Sequence, residues 1–86
     1  MKIFVFATNI HREISIYQIK RNKPEFIGTI GSHEHSHGNI SDVFNYLIDN
    51  KYIPKSYFNL SKNNWRGARY YRHEIEDKGI KIIEIV

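Results

Sequence analysis

Two short runs of β-branched and aromatic residues, one near each end of the chain, constrain the fold more than any other feature. The run KIFVFAT at residues 2–8 is apolar at both odd and even positions, as in a strand that is covered on both faces. The run IKIIEIV at residues 80–86 is similarly apolar. We therefore expect a β-sheet with both runs inside it, built up by further strands and covered by a second layer.

Two weaker patterns follow the first run and supply neighbouring strands. In EISIYQIK, Ile14 and Ile16 alternate with polar residues, which is typical of a half-buried strand, and RNKP at residues 21–24 predicts the turn that ends it. The stretch EFIGTI at residues 25–30 predicts a third strand. Gly28 interrupts this strand and marks a bulge or a close backbone approach, so we expect it at an edge of the sheet.

One helix is predicted at residues 40–50. Asn39 is a favourable N-cap, and Asp42 lies in the first turn, where it can bond to backbone amides and suits the positive end of the helix dipole. Asn50 tolerates the left-handed conformation that ends many helices, and Pro54 follows it. The apolar stripe of this helix consists of Val43, Phe44, Leu47 and Ile48.

The last part of the chain predicts a second hairpin, with strands at residues 65–76 and 80–86 joined by a turn at Asp77, Lys78 and Gly79. The element order is then βββαββ, an α+β domain with a mainly antiparallel sheet of about five strands and one helix on one face. A helix of this length covers only about 16 Å of the sheet. We expect either residues 55–64 to cover the rest, or a homodimer to form there.

Length and composition restrict the class of protein. The 86 residues predict a single domain with one thin core, and 41% apolar residues are too many for a disordered chain. The absence of cysteine excludes disulfides and thiolate metal sites. No run approaches the ~18 apolar residues of a membrane span, and the stretch MKIFVFATNI is too short and too soon interrupted by polar residues for a signal peptide. These observations favour a cytoplasmic protein without membrane contact.

The positive charge is concentrated in one segment. Six basic side chains and no acidic one lie between Lys51 and His73, whereas the rest of the chain has a net charge of −2. Aromatic residues interleave with these cations, and such mixtures suit nucleic acid because phosphates take the charge and exposed bases stack on rings. The alternative is a soluble outer face over an aromatic core. The nucleic-acid-binding residues that we predict are Lys62, Trp65, Arg66, Arg69, Tyr70 and Arg72.

The run GSHEHSHGN at residues 31–39 places three histidines between two glycines. His33, His35 and His37 are weak candidates for metal ligands, because His33 and His37 would lie about 13 Å apart in an extended segment. The glycine and serine content is more typical of a polar connection, and we predict no metal or other cofactor. If this run binds anything, the helix N-terminus favours phosphate. The phosphate-contact candidates are Ser36, His37, Gly38 and Asn39.

These features favour a small, non-enzymatic binding module for RNA or a ribonucleoprotein, such as an accessory or inhibitor protein that acts by occupying a surface. One alternative is a small ribonuclease that depends on histidine or on a metal, since His, Arg and Tyr side chains can serve as acid, base and phosphate clamp. Another is a protein–protein interaction module, because Tyr, Trp and Arg dominate such interfaces. No paired carboxylates, nucleophile motif or phosphate-binding glycine loop is present, so we predict no catalytic residues.

Overall fold

A computed structural model of the chain describes residues 1–31, 39–54 and 76–85. These residues form one four-stranded sheet and one α-helix, which confirms the α+β class. The elements in chain order are β1 (Lys2–Thr8), β2 (Ile14–Lys20), β3 (Lys23–Ile30), α1 (Asn39–Asp49) and β4 (Ile80–Ile85).

The described sheet has the strand order β3-β2-β1-β4 and is mixed rather than uniformly antiparallel. β2 pairs antiparallel with both β1 and β3, while β4 pairs parallel with β1, with Lys2 opposite Ile80. A parallel arrangement needs a crossover, and the connection that contains α1 carries the chain from the β3 edge to the β4 edge. β1 lies inside the sheet as predicted, but β4 is an edge of the described sheet. Residues 65–75 of the predicted strand lie outside the described residues, and its last residue, Glu76, is wrong as a strand because Glu76 and Asp77 are helical.

Helix α1 begins and ends within one residue of its predicted limits. Its C-terminus is a Schellman motif, in which the Tyr52 amide donates to the Leu47 carbonyl at 2.8 Å and the Lys51 amide donates to the Ile48 carbonyl at 3.0 Å. Lys51, rather than Asn50, adopts the left-handed conformation, with a φ of 65°. The left-handed residue therefore comes one position later than predicted, and the turn then directs Ile53 into the core.

The core lies between α1 and one face of the sheet. Val43, Phe44 and Leu47 of the predicted apolar stripe are fully buried, and Ile48 packs at the margin. The strand residues of the core are Phe4, Phe6, Ile14, Ile16, Ile30, Ile80 and Ile82. Alternate side chains of a strand point to opposite faces, so these residues define the face that α1 covers.

Gly28 has the structural role that the sequence predicts. β3 has a bulge at this point, because Ile16 pairs with Gly28 and Tyr17 pairs with Phe26, which leaves Ile27 as an extra residue. A Cβ atom at Gly28 would overlap the hydroxyl of Tyr46, which donates a hydrogen bond to the Ile27 carbonyl at 3.0 Å. The absence of a side chain at Gly28 thus lets Tyr46 of α1 rest directly on the edge strand.

Candidate functional site

The second face of the sheet is apolar but is not the face that packs on α1. The strand registers place Ile3, Val5, Tyr17, Ile83 and Phe26 on this side, which we call the open face. Exposure rises from 9% at Val5 in the centre to 40% at Ile83 and 58% at Phe26 on the edge strands. Phe26, Ile83 and Ile85, all on the outer strands of the described sheet, are therefore the large apolar side chains of this face that a ligand can reach.

Tyr17 and Phe26 form an aromatic pair on the open face. They lie opposite each other on β2 and β3, and their ring centroids are 5.6 Å apart with an angle of 63° between the ring planes. This edge-to-face contact fixes both rings and is worth about 0.5–1.5 kcal/mol beyond the area that it buries. Because Phe26 is more than half exposed, the pair presents a preformed aromatic surface to solvent.

The charge on the open face is suited to an anionic ligand. None of the described strand positions that face this side holds Asp or Glu, and one of them, opposite Ile3 on β4, holds the exposed Lys81. The acidic residues of the strands, Glu25 and Glu84, are at positions that face the other way, opposite Gln18 and Phe6. An anion that lies along the open face therefore meets no carboxylate from the strands there.

The hairpin between β2 and β3 carries cations at one end of the sheet, where Lys20 and Lys23 lie at positions that face the same side as Glu25 and away from the open face. Arg21 and Asn22 have φ values of 53° and 65°, which define a two-residue turn of the kind that suits the twist of a hairpin. Lys20 and Lys23 pair across the turn, so three cations lie within four residues. Lys20 lies 3.6 Å from Glu25, but both side chains are over half exposed and the contact is weak.

The left-handed conformation of Arg21 is a local cost. Asn tolerates such a φ well, whereas a long side chain without a short polar group costs roughly 1–2 kcal/mol there. The described residues place no carboxylate within 4.0 Å of Arg21 or Lys23. A strained and unpaired arginine at the tip of a hairpin is consistent with a role in binding rather than in stability.

Most of the residues predicted from the sequence lie outside the described residues: Lys62, Trp65, Arg66, Arg69, Tyr70, Arg72, His33, His35, Ser36, His37 and Gly38. Their assignments therefore remain predictions. In the described ranges, no group of three or more His, Cys, Asp or Glu side chains is arranged to hold a metal ion.

Asn39 is the one phosphate-contact candidate that the structure describes. Its side-chain nitrogen donates a hydrogen bond to the Thr8 hydroxyl at 3.1 Å, which ties the start of α1 to the end of β1. Asp42, only 7% exposed, lies in the first turn of the same helix. Asn39 therefore has a structural role in the described fold, and its contact with phosphate remains a prediction.

The Tyr17–Phe26 pair can be located from the position of the turn in the sequence, although the residue types alone do not indicate it. Once the turn is placed at Arg21 and Asn22, Lys20 lies opposite Lys23, and counting back along both strands brings Tyr17 opposite Phe26. The register of the hairpin, rather than any motif, therefore identifies this part of the site.

The chain matches no protein-family model, no curated protein and no solved structure. Among the described residues, no helix is long and apolar enough to cross a membrane.

Proposed function

We propose that this protein is a non-enzymatic binding module for single-stranded RNA, alone or within a ribonucleoprotein, and that it binds RNA on the open face. The observation that carries the proposal is the Tyr17–Phe26 pair, with Phe26 58% exposed, on a face whose described strand positions hold no carboxylate. Unpaired bases stack on such rings, with about 1–3 kcal/mol per base, and cations beside them neutralise the phosphates.

Single strands suit this surface better than duplexes. The bases of a duplex are stacked on one another and cannot cover an aromatic side chain, whereas an unpaired base can lie on the exposed ring of Phe26. Along β3, Phe26 lies three residues from Lys23, or about 10 Å in an extended strand. An odd spacing places Lys23 on the opposite side of the sheet from Phe26, so a single strand that stacks on the ring would have to pass around the end of the hairpin to contact this lysine.

The basic segment between Lys51 and His73 adds positive charge to the proposed mode of RNA binding. The six cations of the segment exceed the three of the β2–β3 turn, so we propose that they supply the larger part of the electrostatic affinity. About four phosphate contacts would give a log–log salt slope of roughly −3 on single strands. The open face then supplies stacking, and the segment supplies most of the charge.

Replacing Phe26 with Ala tests the stacking contribution. We expect RNA affinity to fall about 5- to 150-fold, which corresponds to the loss of one stacked base, with no change in the salt slope. Ile10→Ala is the matched control, because Ile10 is 91% exposed and lies in the β1–β2 connection, away from the open face. Unchanged affinity in a Phe26→Ala protein that melts at the wild-type temperature would rule out this surface.

Replacing Arg66 and Arg72 together with Ala tests the charge contribution. If both side chains contact phosphates, the salt slope becomes shallower by roughly 1.4. Fluorescence anisotropy with a labelled oligonucleotide at two or more salt concentrations measures it. A folded double variant with an unchanged slope would show that these arginines are only a solvated surface. Failure of the wild-type protein to bind any nucleic acid at low salt would instead favour a protein partner.

Incubation with labelled RNA distinguishes a binding module from a ribonuclease. We expect the RNA to stay intact with and without EDTA. Cleavage that EDTA abolishes would contradict the proposal and would assign a metal to His33, His35 and His37. Cleavage that resists EDTA would indicate a metal-independent histidine mechanism.

A further inference from the structure

The two outer strands of the described sheet differ in how their edges are protected. β3 contains Pro24, which has no N–H to donate, and the bulge at Ile27 interrupts its regular pairing. Its first residues also include the charged Lys23 and Glu25. Proline, bulges and charged side chains are the features by which natural proteins prevent a strand edge from pairing with another chain.

β4 has none of these features except two charges that cancel. Its six residues, IKIIEI, contain no proline, and its pairing with β1 is regular from Ile80 to Ile85. Lys81 and Glu84 give it no net charge, and Ile83 and Ile85 are 40% and 46% exposed. Within the described residues, β4 pairs with β1 on one side and with no strand on the other. The hairpin predicted from the sequence would put residues 65–76 at this outer edge, so that segment is the alternative occupant of the edge.

The hydrogen-bond pattern shows which backbone groups of β4 lie on its outer side. The Lys2 amide donates to the Gly79 carbonyl at 2.9 Å, so in a parallel ladder every second residue from Gly79 onwards bonds to β1. The intervening residues, Ile80, Ile82 and Glu84, therefore direct their N–H and C=O groups away from β1. These groups form a regular pairing edge with one donor and one acceptor at every second residue.

We propose that β4 pairs antiparallel with β4 of a second copy of this chain. The alternation of backbone groups restricts the register to pairings between even-numbered residues. The register that brings the exposed isoleucines together pairs Ile82 with Glu84 of the second copy and places Ile83 opposite Ile83. Lys81 then lies opposite Ile85, so its aliphatic stem covers an apolar side chain. The two sheets then join, so that their described strands form one sheet of eight, and the open faces become continuous.

Among the described strands, charge favours a second copy at the β4 edge over the β3 edge. The chain carries a net charge of +4, so two copies repel each other wherever their cations meet. The turn cations lie at the β3 edge, and pairing through β4 places the two β3 strands about 34 Å apart, several times the screening length at physiological salt. The neutral β4 strand allows close approach, and a two-fold pairing of identical strands is closed.

Sedimentation or light scattering over a range of protein concentrations tests the proposal. We expect twice the monomer mass at high concentration and dissociation on dilution. Glu84→Pro removes an outward N–H without touching the bonds to β1, and Ile83→Lys places two cations opposite each other. Both variants should be monomers, whereas Ile10→Lys, which adds the same charge at a remote exposed site, should remain a dimer. A wild-type monomer at every concentration would overturn the proposal.

Hydrogen exchange locates the interface independently of any variant. Protection of the Ile82 and Glu84 amides should rise with protein concentration, while the Ile83 amide, which bonds to β1, should be protected throughout. A dimer in which the Ile82 and Glu84 amides stay unprotected would place the interface elsewhere. Protection that does not change on dilution would mean that one chain fills this edge by itself, and would also overturn the proposal. Neither result bears on RNA binding by the monomer.

Discussion

Replacing Gly28 with Ala should destabilise the fold, because α1 rests on this glycine. The new Cβ would overlap the Tyr46 hydroxyl and lie 2.5 Å from Cζ and 3.2 Å from Cε1 of the same ring. The ring cannot keep its position, so the 3.0 Å hydrogen bond from Tyr46 to the Ile27 carbonyl must also break. Both effects act at the bulge in β3, beside the pair that Gly28 forms with Ile16 on the face that α1 covers.

The magnitude follows from three contributions. Overpacking of this kind costs about 1–3 kcal/mol, and loss of a hydrogen bond costs about 0.5–1.5 kcal/mol. Replacing a glycine in a strand stabilises the fold by about 0.5–1 kcal/mol, because the unfolded chain loses conformational freedom. The free energy of unfolding should therefore fall by about 2 kcal/mol, which lowers the Tm of a domain of this size by about 8–16 °C.

Urea denaturation of a double-mutant cycle with Tyr46→Phe provides the assay. Removing the hydroxyl relieves the closest overlap, so Gly28→Ala should cost about 1 kcal/mol less in the Tyr46→Phe background than in the wild type. Gly79→Ala is the control: it is strained by a φ of 77° with no atom within 4 Å of the new Cβ, so its cost should be the same in both backgrounds. Additivity at Gly28, or wild-type stability of Gly28→Ala, would refute this account of the helix contact.

Three further predictions concern stability and binding. Arg21→Gly relieves the left-handed strain and should raise the free energy of unfolding by up to about 1 kcal/mol; a lower stability in urea denaturation would contradict this account of the strain. The same variant should bind RNA more weakly, with a salt slope shallower by about 0.7. Asn9→Ala removes the oxygen that accepts the His11 and Glu13 amides and should cost about 1 kcal/mol, whereas Ile10→Ala in the same connection should cost little. If the histidines of residues 33–37 lie near bound phosphate, RNA affinity should rise as the pH falls below about 6.5, the usual pKa of histidine, because protonated imidazole is cationic. Equal RNA affinity about one pH unit above and one pH unit below that value would contradict this prediction.

Local signals predicted the elements of this fold because those elements depend on neighbouring residues. The cap at Asn39 and the stripe at Val43, Phe44 and Leu47 located α1, and Gly28 located the bulge in β3. The parallel pairing of β4 could not be derived in the same way. It depends on which strand reaches the free side of β1, and Lys2 and Ile80 lie almost a chain length apart. No periodicity in either strand specifies that choice.

The same distinction between local signals and long-range arrangement applies to the candidate site. The cations and aromatic residues were visible as residue types, but their arrangement on a surface depends on register. The Tyr17–Phe26 pair and the absence of strand carboxylates from the open face became visible only when each residue was assigned to a face. The basic segment between Lys51 and His73 lies mostly outside the described residues, so its contribution remains a prediction from the sequence.

The parallel pairing of the first and last described strands has a consequence for protein synthesis. The strands β1 to β3 are complete when Ile30 has been translated, but β4 begins about 50 residues later. At about 5–20 residues per second, this interval lasts about 3–10 s on the ribosome. During that time no β4 exists to pair with β1, the most buried strand of the finished sheet. We expect the nascent chain to be most prone to aggregation in this interval. A protein that binds nascent chains by covering β1 should therefore act only before β4 has been synthesised.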